Sequence, residues 1–141
     1  AQPHASDAAV PGFHLAAGCL FAPGRLVQAL PYDPHLYFHG EEQALAVRLY
    51  THGWDIFHTP DSGVPARALH WDAQTDQQRS QNWWTLEQRS RARLAALLRG
   101  DDLGVFSLGR VRSLADYAAF SGIDYAARTL APRAYSAVDG R

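Results

Sequence analysis

The sequence predicts an α/β domain of short strands and about three helices, and three segments carry that expectation. Glu41 to Thr51 repeats apolar residues at helical spacing, with Leu45 and Leu49 four apart. Trp54 to His58 alternates and is rich in β-formers, directly after Gly53. Trp83 to Arg99 is a second helical stretch, with Leu86, Leu94, Leu97 and Leu98 near one face, arginines crowding its last half and Gly100 closing it.

The remaining elements follow in chain order. Residues 1–11 are small, polar and proline-containing, which suits a loop or a frayed end. Phe13 to Phe21 reads as a buried strand in which Gly18 marks a bulge or a close backbone approach. Ala22 to Arg25 is a turn, Arg25 to Leu30 suits a short helix, and Pro31 to Gly40 is a loop because two prolines and Asp33 oppose regular structure. On the 41–51 helix, Leu45 and Leu49 face inward with Ala44 and Val47 at their border, leaving Gln43 and Ala46 outward. Thr59 to Pro65 turns, Ala66 to Trp71 is a short strand that delivers His70, and residues 72–82 form a polar surface loop. Asp101 to Gly109 is a glycine-containing loop without the lysine or spacing of a phosphate cradle. The third helix begins at Ser113, where Asp116 completes a capping box, buries Leu114, Tyr117 and Ala118, and ends at Gly122. A short helical turn follows Asp124, and the tail after Pro132 is loose. The expected organisation is a loose segment at 1–12, a domain at 13–130 and a loose tail at 131–141.

Composition narrows the function. A chain of 141 residues can bury a core, and 47% hydrophobic with 19% charged residues fits a folded protein. A formal net charge of −1 gives no field that would draw nucleic acid or an anionic membrane. All 13 basic residues are arginine, the side chain best suited to carboxylate and phosphate pairing. The single cysteine, Cys19, excludes an internal disulfide and a cysteine-based zinc site, and reads as a small core residue. No apolar run approaches the ~20 residues of a membrane span. There is no methionine and no visible signal peptide, and the chain is expected to be a fragment.

Residues 32–53 hold the chemistry. Glu41 and Glu42 follow a glycine and open a helix, whose N-terminus favours carboxylates. Consecutive helical residues diverge by ~100°, so one acid can face a cleft while the other caps the helix or binds a neighbour. Asp33 precedes a proline, where its simplest role is an Asx turn. Tyr37, Phe38 and His39 lead into Gly40. Arg48 lies ~10 Å further up the face of Glu41, where it serves either a surface ion pair or the site by holding Asp33. An acidic pair at a helix mouth, flanked by aromatics and histidines, looks like a polyol or sugar site. Glu41 and Glu42 are its catalytic candidates, and Asp33, Tyr37, Phe38, His39, Gly40 and Arg48 its substrate-binding candidates. Of the seven histidines none forms an HExxH pair. His70 stands out between Leu69 and Trp71, since a lone histidine can complete an octahedral Mn2+ or Mg2+ site when carboxylates and a diphosphate supply the rest. The four tryptophans are core residues or sugar platforms.

The string Ala17-Gly18-Cys19-Leu20-Phe21, then Pro31 to Pro34, Phe38 to Glu42, Arg48 to Asp55, Pro60 and His70 resembles the glycosyltransferase family typified by the enzyme that adds GlcNAc to hydroxyproline of a ubiquitin-ligase adaptor. Leu108-Gly109 to Tyr117 and Ser121 to Tyr125 resemble its C-terminal pattern, so the likeness spans roughly residues 13–126. Polypeptide GalNAc-transferases are similar more distantly, through Tyr32-Asp33, Gly40-Glu41-Glu42, Arg48, Gly53 and His70, although the distance to the histidine differs. The resemblance implies the C-terminal, acceptor-side half of an A-type nucleotide-sugar glycosyltransferase fold in a cytoplasmic enzyme. The nucleotide site and its Asp-x-Asp would lie in a missing N-terminal half, leaving this chain inactive alone. Glu41 would bind sugar hydroxyls, Glu42 would orient the acceptor, and His70 would supply a ligand to Mn2+ or Mg2+. The partners implied are a UDP-sugar donor and a protein or glycan hydroxyl acceptor. Transfer would retain anomeric configuration, the leaving diphosphate taking the acceptor proton. Two rival readings are a carbohydrate-binding or protein-interaction module and a small metal-dependent hydrolase using Glu42 and the histidines.

Overall fold

The computed structural model describes residues 9–15, 20–58 and 83–132. Among them the chain is mixed α/β, with four helices and four short strands paired as two antiparallel ribbons. Strand β1 (Val10–Gly12) pairs with β2 (Ile56–His58), Val10 opposite His58 and Gly12 opposite Ile56. Helix α1 (Arg25–Ala29) and helix α2 (Glu41–Thr51) lie between them in sequence. Helix α3 (Trp83–Arg99), a 3-10 turn (Gly104–Phe106) and helix α4 (Leu114–Ser121) follow, and a hairpin of β3 (Ile123–Asp124) and β4 (Thr129–Leu130) closes the order.

Helix α2 is the axle. Seven of its eleven residues are buried, namely Ala44 to Leu49 without a break and then Thr51. One side of it, Leu45 and Leu49, packs with Leu26 and Leu30 of the α1 segment under Trp54 and Ile56. Another side, Val47, packs with Phe13 and Tyr117, bordered by Tyr50, Leu98, Phe120 and Tyr125. The outward placement expected for Ala46 therefore fails: its side chain is 1% exposed. Periodicity marks an inner stripe only when the opposite face meets water, and α2 has protein on both sides. Gln43, by contrast, is exposed as expected.

The helix ends follow local chemistry. Ser113 and Asp116 form the expected reciprocal cap on α4, and Gly122 ends that helix in the left-handed region. The C-terminus of α2 is stapled from outside, since the Thr51 carbonyl accepts from the Val111 and Arg112 amides and the Thr51 hydroxyl accepts from the Gly109 amide. A Cβ at position 109 would collide with the Thr51 backbone, which makes glycine obligatory there.

Three expectations are corrected. The first strand lies at Val10–Gly12, inside the stretch read as loose, and the described residues of the stretch from Phe13 to Phe21 (13–15 and 20–21) are not strand. The ribbon pairs Val10–Gly12 with Ile56–His58, and the next residue, Phe13, is buried in the core with Tyr117 and Phe120. The turn after Asp124 is part of a hairpin rather than a helix, with the Asp124 carboxylate accepting from the Ala127 amide. The 101–109 loop contains the 3-10 turn, pinned when Asp102 accepts from the Gly104 amide and the Ser107 hydroxyl. Gly18, Cys19, the 59–82 segment with its expected strand and loop, and the tail beyond Pro132 lie outside the described residues.

Enclosure of α2 predicts that Ala46→Leu costs about 1–3 kcal/mol by overpacking, measured by urea denaturation. A variant as stable as the parent would mean that α2 has an open side.

Candidate functional site

The loop from Pro31 to Gly40 is fastened at four points before it reaches α2. Its first anchor is Arg48, fully buried, whose Nη1 donates to the Pro31 carbonyl (2.8 Å) and whose Nη2 donates to the Val105 carbonyl (3.0 Å). Arg48 thus ties the loop to the 3-10 turn, and its guanidinium lies 5.6 Å from the Phe106 ring centre. Among the described residues it forms no ion pair, and burial lowers its pKa, with Asp33 opposing and Arg93 adding to that shift. Its Nε has no hydrogen-bond partner among the described residues.

Asp33 is the second anchor. It is buried and bonded to Arg93 of α3, not to Arg48: Arg93 Nε donates to its Oδ2 at 2.9 Å. Its other oxygen accepts from the His35 amide at 3.0 Å, the Asx turn anticipated at this position, and contacts His35 Nδ1 at 2.9 Å. Burial alone would push the carboxyl up, but the bonds from Arg93 and His35 outweigh it and hold the group below its ordinary value. Arg93 and Arg48 both lie over Phe106, with His35 meeting its edge.

The third and fourth anchors are also on α3. The Tyr37 amide donates to the buried Ser90 hydroxyl, and Gly40 lies so close to Leu94 that a Cβ would sit 2.7 Å from its methyl. Gly40 has φ 83°, so glycine is required on two counts. Between these anchors Phe38 adopts φ 58°, and the His39 amide donates to the Tyr37 carbonyl at 2.7 Å, a tight three-residue turn. A bulky residue held at positive φ is strained, and such strain gathers at ligand clamps and active sites. Tyr37, Phe38 and His39 are all exposed at this turn.

The turn delivers the chain to Glu41 and Glu42 at the N-terminus of α2, where no side chain caps the helix. Burial, then the charge of Glu42, raises the pKa of Glu41. Burial, then the charges of Glu41 and Glu42, raises that of Tyr32. Burial and then His58 lower the pKa of His14, while the charge of Glu42 raises it. His58 Nε2 meets the His14 carbonyl at 2.9 Å at the end of the β1–β2 ribbon. Glu41 and Glu42 form the mouth, and buried Asp33 and Arg48, with the half-buried Arg93 and Phe106, form the support of the loop.

Several of these residues escape a reading of the sequence. Arg93 and Asp33 are sixty positions apart, and no local signal joins them. Glu87 and Ser90 are buried on the face of α3 that holds the loop, although polar residues at helical spacing ordinarily face water. Glu87 accepts two bonds from Arg91 through Oε1, which also lies 3.9 Å from His39 Nδ1. Its i,i+4 spacing to Arg91 was a usable hint. His70 lies outside the described residues, and among the described residues no three His, Cys, Asp or Glu side chains are grouped to hold a metal ion.

Residues 2–127, nearly the whole chain, match the family described as Glycosyltransferase (GlcNAc). The chain belongs to that family, and its mixed α/β architecture agrees with part of a glycosyltransferase domain. Neither the comparison with curated proteins nor that with solved structures returned a match. No helix among the described residues is long and apolar enough to cross a membrane.

The Asp33 network gives a signed pH prediction. A carboxyl whose folded pKa is depressed stabilises the fold fully above its unfolded pKa, and that contribution is lost as pH falls through the folded value. Asp33→Asn should therefore cost about 2–4 kcal/mol at neutral pH, because it leaves Arg93 beside Arg48 uncompensated. The deficit should shrink on acidification below the ordinary carboxylate range. Urea denaturation across pH checks both, and a deficit independent of pH would contradict the charge assignment.

Proposed function

We propose that the chain is the acceptor-side part of a transferase that moves a sugar, GlcNAc first among the candidates, from a UDP-sugar to a hydroxyl on a protein or glycan. Membership of the glycosyltransferase family supports transfer in general. What carries the placement of the site is the mouth of α2, where a strained, exposed aromatic turn feeds two adjacent acids.

In this reading the protein contributes position and charge. Glu41 and Glu42 accept hydrogen bonds from sugar and acceptor hydroxyls, Glu41 toward the sugar and Glu42 toward the acceptor. Phe38 and Tyr37 offer ring faces to the C–H surface of a pyranose, and His39 and Tyr32 offer polar tips beside them. Holding donor and acceptor in one geometry is itself a large part of catalysis. The buried Arg48 and Asp33, with the half-buried Arg93, act beneath, by fixing the loop that presents these groups. The nucleotide-binding half, with its Asp-x-Asp, would be supplied by chain beyond residues 1–141, so that these residues alone would transfer little. A divalent cation, Mn2+ or Mg2+, belongs to the same reading, with His70 as one ligand, where it would neutralise the diphosphate. The described residues do not themselves assemble a donor set for it, and no step here is routed through it. A cytoplasmic location and retention of anomeric configuration complete the proposal.

Burial and Glu42 raise the pKa of Glu41, so ionising it on the fold costs stability as pH rises through that value. Glu41→Gln in the full-length protein should therefore abolish transfer from UDP-GlcNAc while leaving the fold equally or more stable at pH 7. Unchanged transfer would remove Glu41 from the site. Tight glycan binding by these 141 residues without UDP-sugar would favour a carbohydrate-binding module instead.

A further inference from the structure

The motif running from Arg48 to Asp55 is only partly absorbed by the site above. Arg48 and Thr51 are buried and explained by their hydrogen bonds. Tyr50 and Asp55 point elsewhere in the fold: both line a partly open cavity of about 340 Å3 formed by β1, β2, the end of α2 and α4. Tyr50 is nine residues beyond Glu41, a rise of ~14 Å along the helix, so this cavity is a separate place from the acidic mouth.

Its lining combines two chemistries. Aromatic and apolar side chains, among them Tyr50, Phe57 and Phe120, make up most of the wall. At the rim, Arg112 Nη1 forms an ion pair with Asp55 Oδ1 at 2.8 Å and donates to the Trp54 carbonyl at 3.3 Å, and its guanidinium lies 4.7 Å from the Tyr50 ring centre. The guanidinium is thereby held in place before any ligand arrives. The Asp55 side chain remains 62% exposed, so its carboxylate keeps acceptor capacity toward solvent. A cavity of this size with aromatic walls and a few fixed polar groups is the usual form of a small-ligand site.

We propose that this cavity is a second saccharide subsite, taking one neutral pyranose unit. Ring faces meet the apolar C–H side of the sugar, Asp55 accepts from one hydroxyl and Arg112 donates to its neighbour. The pairing of one cation with one anion favours a neutral polyol over a charged ligand, because either charge would meet its like at the rim. A saccharide-handling family gives such a subsite an evident use, in holding a part of a glycan that is not reacting. The subsite does not depend on the roles given to Glu41 and Glu42.

Two-dimensional NMR of the full chain titrated with free GlcNAc tests this. Saturable shifts are expected at Gly12, Phe57, Tyr117 and the Arg112 side chain. Asp55→Asn and Phe57→Ala, both at exposed side chains, should weaken the binding at least tenfold while spectral dispersion is kept. Should Phe57→Ala lose its fold, Asp55→Asn decides alone. Glu41→Gln should leave these shifts intact, which separates this test from that of the transfer reaction. No saturable shift, equal shifts in the Asp55 variant, or a response to benzoate without one to GlcNAc would each overturn the proposal.

Discussion

A buried guanidinium organises this structure. Arg48 stands near the middle of the most enclosed helix, and its two terminal nitrogens reach backbone carbonyls from opposite directions in sequence, Pro31 before the helix and Val105 far after it. A charge removed from water is expensive, and two carbonyls do not neutralise it. The nearby carboxylate, Asp33, is bonded instead to Arg93, so one acid serves two guanidiniums stacked over Phe106. The arrangement is a poor source of stability but a precise specifier of position, since only one placement of the 31–40 loop satisfies all three groups. That placement is what presents Phe38, Glu41 and Glu42 together.

The helix itself explains why chemistry gathers at its two ends. From Ala44 onward α2 is surrounded, and it belongs to two separate apolar clusters at once. Apart from the buried Arg48, polar side chains are therefore confined to its first turn and its C-terminal margin. The first turn holds the acids, beside a strained turn anchored on α3. The far end holds Tyr50 over the Arg112–Asp55 pair. One rigid element thus fixes the candidate site and the proposed cavity relative to each other, as well-ordered sites on regular elements require.

Much of the fold was legible where the signal is local. The spans of α2 and α3 follow from apolar spacing and terminal glycines, and the α4 cap from Ser113 and Asp116. The Asx turn at Asp33 was likewise readable from its proline neighbour. What failed was non-local. The burial of Ala46 and Arg48 depends on a second layer that periodicity within α2 cannot report. The first strand differs from expectation because it forms where the chain meets Ile56–His58, a pairing more than forty positions away that local β-formers do not report. In the candidate site, the acids and aromatics were visible as a string, whereas Arg93, Ser90 and Glu87 were not, because buried polar residues on a helix have the same pattern as solvated ones. Membership of the glycosyltransferase family agrees with the resemblance carried by that string.

Native-state hydrogen exchange on Arg48→Lys tests the central claim most directly. Lysine keeps the charge but cannot fork to two carbonyls. The account predicts faster exchange at the amides of Leu36 and His39 and, in step with them, at Phe106 and Ser107, while the amides of Gly122 and Ala131 in the hairpin region keep their protection. Protection unchanged in both segments, or lost evenly through the whole chain, would contradict it.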